Sequence, residues 1–261
     1  MKRLIVILAV FCYMQNLLGQ QPFGRGKITI HHVAENAVRI QYSEGEPQEA
    51  LPDWIYVKHE TVKSPNLKVI IDRKHLRLSI KDKKGNTIFT ASRHQMEGSK
   101  STLTFQSPKD EFLYGLGQFQ DGYSNVRGLP RRLTQVNTQI SLPMLISSKG
   151  YGILWNNYGL TDFNPCHQQV QLVKRQGGGA REVVNVTSTE GGRQEVRERH
   201  IFEASIDIAE SGDYALLLDV GQKMARRHNL CIDGQTVIEM QNLWLPPTAS
   251  KIVHLQLAIM S

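Results

Sequence analysis

Amide side chains crowd one part of this 261-residue chain. Between Leu113 and Asn157 stand Gln118, Gln120, Asn125, Gln135, Asn137 and Gln139, while Asp121 is the one carboxylate of the stretch. Amides donate and accept hydrogen bonds without charge, which is the chemistry of binding. If the chain is an enzyme, its acids and bases must therefore lie elsewhere. The other chemistry-bearing residues are scattered. Cys166 and Cys231 stand alone, with neither a CxxC nor a Cys/His cluster at ligand spacing, so no zinc site is indicated. His167 has no glutamate partner in a matching motif. Asp233-Gly234 reads as a tight turn with no acidic pair beside it, so neither a calcium site nor any other metal or cofactor is expected.

The elements that must position the amides are strands and turns. Gly115 and Gly117 flank Leu116 just after Phe-Leu-Tyr, and glycines at alternate positions permit backbone angles or close approaches closed to other residues. Ile140 to Ser148 and Tyr151 to Asn156 read as two strands joined by a hairpin turn at Ser147-Ser148-Lys149-Gly150. A long loop from Gln118 to Asn137 lies between the strands. Two readings stand side by side: the amides satisfy the loop's own backbone, or they face a ligand, as ordered loops on β scaffolds often do.

Period-two alternation dominates elsewhere, at Val38-Ile40-Tyr42, at Leu76-Leu78-Ile80 and at Tyr214-Leu216-Leu218-Val220. Asp82-Lys83-Lys84-Gly85-Asn86 reads as a hairpin turn before Thr87-Ile88-Phe89. No window holds an amphipathic helix of three turns, and the only short candidate is Gln222 to Asn229. Many short strands broken by Gly and Pro predict an all-β sandwich architecture. The polar stretch from Arg175 to His200, rich in Gly and alternating charge, places a module seam near residues 188–200.

Met1-Lys2-Arg3, the apolar run that follows, and Leu18-Gly19-Gln20 form the pattern of a secretory signal peptide over residues 1–20. The competing reading of that run is a buried strand or helix. Export leads to the periplasm or beyond it, with no membrane span expected and with Cys166 and Cys231 as two isolated thiols. The formal net charge of +7 is dispersed rather than gathered in a basic stripe with aromatics, so nucleic acid is not an expected partner.

LYGLGQ, then DGYSNVRG, then LTQVNTQISLPMLISSKGYGILWNN together resemble the N-terminal domain of glycoside hydrolase family 31, in its exported α-xylosidase branch. Ala37 to Ile40 and Leu76 to Ile80 fit the same domain. The resemblance implies a galactose-mutarotase-like β-sandwich over residues 21–190, packed on a catalytic barrel, with a loop leaning over the active site. It implies that Asn137 faces the sugar with Gln135 beside it. Residues 191–261 resemble part of an inserted protective-antigen-type β-sandwich, so an incomplete second sandwich is expected.

Retaining hydrolysis needs two carboxylates roughly 5–5.5 Å apart. Neither Asp53-Trp54 nor Asp162-Phe163-Asn164-Pro165 matches the family's catalytic segments, and no alternating strand-helix units announce a barrel. The expected catalytic residues are therefore none. The expected role is that of a non-catalytic N-terminal fragment, inactive alone. Its parent hydrolase acts on xyloglucan- or α-glucan-derived oligosaccharide or polysaccharide, and the missing barrel of the same parent chain is the partner. The alternatives are a stand-alone exported carbohydrate-binding protein, with Trp54, Trp155 and Trp244 to stack on sugars, and a sugar mutarotase.

Overall fold

A computed structural model describes residues 4–9, 21–45, 62–137, 139–157, 159–177, 179–221, 228–240 and 248–256, the first of these segments by its backbone path. Its described elements are all strands. Thus the all-β expectation holds. No helix among the described residues is long and apolar enough to cross a membrane. Residues 1–3 and 10–20 of the expected signal, the helix candidate at 222–227, and Asp53, Trp54 and Trp244 lie outside the described residues.

Two sheets make the first sandwich. The larger runs in the order β2 (Gln21–Phe23), β3 (Gly26–Ala34), β4 (Ala37–Ser43), β1 (Leu4–Ala9), β12 (Tyr151–Asn156), β11 (Ile140–Ser147), β9 (Leu113–Gln118). The smaller is a meander of β5 (Leu67–Asp72), β6 (Arg77–Asp82), β7 (Thr87–Glu97) and β8 (Lys100–Phe105). Alternation dictates which residues meet between them. Along β4 every second residue is buried, so Val38, Ile40 and Tyr42 face Leu78 and Ile80 of β6 and Phe89 and Ala91 of β7. Val38 and Ile80 are fully buried, each contributing roughly 1.5–3 kcal/mol relative to exposure. Tyr151 and Ile153 of β12 close the same core, with Phe89 set edge-on to Tyr151.

The expected turns form for the expected reasons. Gly85 (φ +86) lets its N–H reach the Asp82 carbonyl at 3.0 Å, while the Asp82 carboxylate accepts from the Asn86 N–H and amide. Gly150 (φ +88) turns β11 into β12, donating to Ser147 O at 3.0 Å. Asp233 and Gly234 both have positive φ between β19 (His228–Ile232) and β20 (Gln235–Met240), the two-residue turn that matches strand twist.

Beyond the sandwich, β14 (Val173–Lys174) pairs with β17 (Phe202–Glu203), and β15 (Arg181–Ser188) with β16 (Gly191–Glu198). Hydrogen bonds from Arg175 N to Ile201 O and from Arg199 N to Ala180 O join the two pairs into one ribbon. The polar stretch is therefore a two-stranded hairpin, with Thr189 and Glu190 at its tip. Next, β18 (Gly212–Asp219) pairs with β21 (Thr248–Leu255).

Candidate functional site

The amide-rich loop hangs from β9 and β11, and three consecutive residues fix how. Gly115, Leu116 and Gly117 all have positive φ (117°, 66° and 107°). This turns Leu116 into a small core with Leu113, Val126 and Leu145. The two glycines bring β9 against the backbone of β11. A Cβ on Gly115 would sit 2.4 Å from Met144 O, and one on Gly117 would sit 2.0 Å from Ile140 O. Between those contacts the pairing register breaks, at residues Ser141 to Leu145, and β11 bulges.

The loop is tied down by polar side chains rather than by packing alone. Asn125 Oδ1 accepts from the Leu113 N–H (3.1 Å) and from the Arg127 N–H (3.2 Å). Asp121 accepts from the Tyr123 N–H (3.3 Å) and pairs with Arg131, whose Nη2 lies 2.8 Å from its carboxylate. The Arg131 side chain is only 2% exposed and lies 3.9 Å over the Phe119 ring. The lone carboxylate of the stretch is thus a structural counter-ion. Strand β10 (Arg131–Leu133) then pairs with β13 (Thr161–Phe163), which corrects the expectation of one unbroken loop from Gln118 to Asn137. Three-residue strands that pair across 30 positions leave no alternation to read.

After β10 the chain makes a second turn, and the two candidate amides separate in role. Val136 and Gln139 exchange backbone hydrogen bonds at 3.2 Å. Gln139 Nε2 donates to Thr134 O at 2.8 Å, and Ser141 Oγ donates to the same carbonyl at 2.6 Å. Gln135 Oε1 accepts the Ser141 N–H at 3.1 Å. Gln135 is thereby committed to holding the turn. Asn137 sits at the turn's tip with its side chain exposed. The site is a hydrogen-bonded turn offering one exposed amide.

Sequence reasoning missed Arg132. Its guanidinium joins Asp162 (Nε–Oδ1 2.9 Å) to Asp219 of β18 (Nη1–Oδ2 2.8 Å), so the loop region clasps the second half of the chain. Asp162 raises the Arg132 pKa first through this hydrogen bond, with charge attraction from both aspartates adding to it. The Ile252 N–H donates to Tyr123 OH at 3.2 Å, and Ser250 Oγ donates to Pro130 O. No local motif signals such a clasp, because its members are far apart in sequence. His167 is exposed, and Trp155 packs against the main core. Cys166 and Cys231 are both free and exposed. Among the described residues no three His, Cys, Asp or Glu side chains gather to hold a metal.

Residues 27–164 match the glycosyl hydrolase 31 N-terminal galactose mutarotase-like domain. The chain belongs to glycoside hydrolase family 31. The family 31 match covers the smaller sheet, the larger sheet apart from β1, β2 and Gly26, the glycine-framed β9 and the amide turn. An α-xylosidase of Saccharolobus solfataricus is 31% identical over 169 residues, 52% of this chain and 23% of that protein. An uncharacterized family 31 glucosidase of Pseudescherichia vulneris is 41% identical over 78 residues, 28% of this chain and 15% of that protein. The chain thus spans less than a quarter of either relative. The crystal structure of a family 31 α-xylosidase from Xanthomonas citri shares the fold with a TM-score of 0.52 at 19% identity, over 89% of this chain and 31% of that one.

Proposed function

We propose that this chain is the non-catalytic N-terminal part of an exported hydrolase acting on α-xylosides or α-glucosides, where it forms one wall of the substrate cleft. The observation that carries this reading is the Asn137 turn. Its flanks are fixed by side-chain hydrogen bonds to backbone, and its tip presents an uncharged donor and acceptor suited to a sugar hydroxyl. The carboxylates around it are engaged with cations: Asp121 with Arg131, and Asp162 and Asp219 with Arg132. They hold structure and leave the acid–base work to a barrel in the same parent chain.

The outer strand of the larger sheet supports a docking role. Phe112 and Tyr114 at β9, and Leu142 and Ile146 on β11, are each 40% exposed or more, and Tyr114 pairs directly with Ile146. A patch of this kind marks a surface that another body covers. In this reading the barrel covers it, which carries the Asn137 turn toward the sugar. Residues 191–261 then belong to an inserted protective-antigen-type module that lengthens the cleft for oligosaccharides derived from xyloglucan or α-glucan.

A chimera tests this. Residues 27–164 would replace the matching domain of the Xanthomonas citri α-xylosidase, and hydrolysis of p-nitrophenyl α-D-xyloside would be followed. The chimera is expected to turn over, and Asn137→Ala is expected to raise KM roughly 5- to 10-fold with kcat within about twofold, the effect of one lost hydrogen bond. A folded, active chimera whose KM is indifferent to Asn137 would remove that residue from the site.

A further inference from the structure

The outer face of the smaller sheet gathers charge that the linear chain scatters. Leu67, Leu78, Ile80 and Phe89 turn into the core, so alternation turns Lys68 and Ile70 of β5, Arg77, Ser79 and Lys81 of β6 and Thr90 of β7 outward. Register then sets them side by side. Lys68 stands directly opposite Lys81. Ile70, Ser79 and Thr90 form one row across three strands, with Ser79 Oγ 3.4 Å from Thr90 Oγ1. Arg77 lies about 13 Å from Lys81 along β6, four residues at strand rise. The hairpin turn after β6 adds Lys83, whose Nζ reaches Ser64 Oγ at 3.4 Å and so stands at the same end of the sheet as Lys63.

Like charges directly opposite each other on a sheet are destabilising. Among the described residues no carboxylate forms an ion pair with Lys68, Lys81 or Arg77. The nearby acids are engaged in turns. Asp72 accepts from His75 Nδ1 at 2.8 Å and from the backbone N–H groups of Lys74 and His75, and Asp82 holds the hairpin through Asn86. A lysine on an edge strand keeps that edge from pairing, which accounts for Lys68 on β5. It does not account for Lys81, because β6 is flanked by β5 and β7.

The face is thus cationic at both ends and lined with hydroxyls between them. Lysine and arginine pair with carboxylates, and serine and threonine hydroxyls exchange hydrogen bonds with sugar hydroxyls. The outward residues include no aromatic ring on which a nucleic-acid base could stack, and Ile70 alone is too little apolar surface to enter a lipid boundary. For a chain of a glycoside hydrolase family, the matching anion is a sugar polymer.

We infer that the outer face of β5, β6 and β7 binds an acidic polysaccharide of the uronic acid type, whose carboxylates meet Lys68 and Lys81 at one end of the face and Arg77 at the other. The surface is separate from the Asn137 turn, which lies between β10 and β11 and outside the smaller sheet. It holds the protein on a charged polymer and leaves that turn free.

Fluorescence anisotropy of a labelled oligogalacturonate, titrated with the full chain at low salt, tests the assignment. Binding that weakens as salt is raised is expected, because exposed charge pairs are screened. Lys68→Gln with Lys81→Gln is expected to weaken binding roughly 3- to 30-fold, the loss of two exposed charge pairs. Lys174→Gln with Lys251→Gln removes the same charge from exposed positions elsewhere and is expected to stay within about twofold. Lys68→Glu gives a second readout, since it replaces repulsion across the strands by an opposite-charge pair: Tm is expected to rise by about 1–3 °C while binding weakens. No binding by the unaltered chain, equal weakening by the two double substitutions, or a fall in Tm with Lys68→Glu would each overturn the site. Tighter binding through the same two lysines to duplex DNA or to phosphatidylglycerol vesicles would overturn the choice of polysaccharide.

Discussion

The two halves of the chain solve the same problem differently. Up to residue 164 the strands other than the short β10–β13 pair stack as two sheets, and each alternating strand finds an apolar face opposite. Val38, Ile80, Phe89 and Leu116 disappear into cores as a result. Beyond residue 170 the strands pair only two by two. Val173, Val183, Val196 and Phe202 are 48% exposed or more, although Val183 and Val196 face each other across the ribbon. Strand pairing alone does not bury side chains; a second layer does. The second half leans on the first through Arg132, Tyr123 and Pro130.

Substitutions can break or sharpen this contrast. The largest effect is expected from Arg131→Met, which strands Asp121 without its partner and looses the loop; urea unfolding should register a loss of about 3–5 kcal/mol. Ile80→Ala follows, with about 2–5 kcal/mol from a fully enclosed site, whereas Val196→Ala on the ribbon should stay within about 0.5 kcal/mol. Equal losses at the two positions would erase the distinction between the halves. Gly117→Ala introduces a Cβ at 2.0 Å from a backbone oxygen and a disfavoured φ, so a loss of about 1–3 kcal/mol is expected, with the Asn137 turn displaced.

Proton linkage gives the smallest signal. Burial lowers the pKa of His94 below 6.5 against a weaker opposing pull from Glu44, and burial also lowers His31 and His32. Unfolding frees these imidazoles to bind protons. The unfolded chain therefore holds more of them below about pH 6.5, and stability falls as the pH drops from 7 toward 5. Urea midpoints at pH 7, 6 and 5 should decline in that order, and His94→Gln should flatten the decline.

The first half was legible because its strands are covered on one face, which writes period two into the sequence at Val38-Ile40-Tyr42 and Leu78-Ile80, whereas Leu76, expected to begin that second run, lies in the turn before β6 with φ +51. Turns were legible in both halves because Gly85 and Gly150 in the first and Asp233-Gly234 in the second need positive φ. Short or uncovered strands were not. β10 and β13 are too brief to alternate, and the ribbon over residues 173–203 has no fully buried face, so no apolar alternation marks its strands. At the site, residue type alone makes Gln135 and Asn137 alike, and only the family resemblance set Asn137 toward the sugar with Gln135 beside it. Only the geometry separates them, since Gln135 accepts the Ser141 N–H and Asn137 stands exposed in the turn. Arg132 was hidden because Asp219 lies 87 residues away.

The most direct measurement is an assay of the purified full chain on p-nitrophenyl α-D-xyloside and p-nitrophenyl α-D-glucoside, with cooperative urea unfolding of the same sample as proof that it is folded. A folded chain that releases no nitrophenol above buffer is the expected result, since its carboxylates near the Asn137 turn serve arginines. Steady turnover by the folded chain would contradict a non-catalytic role and place an acid–base pair within these 261 residues.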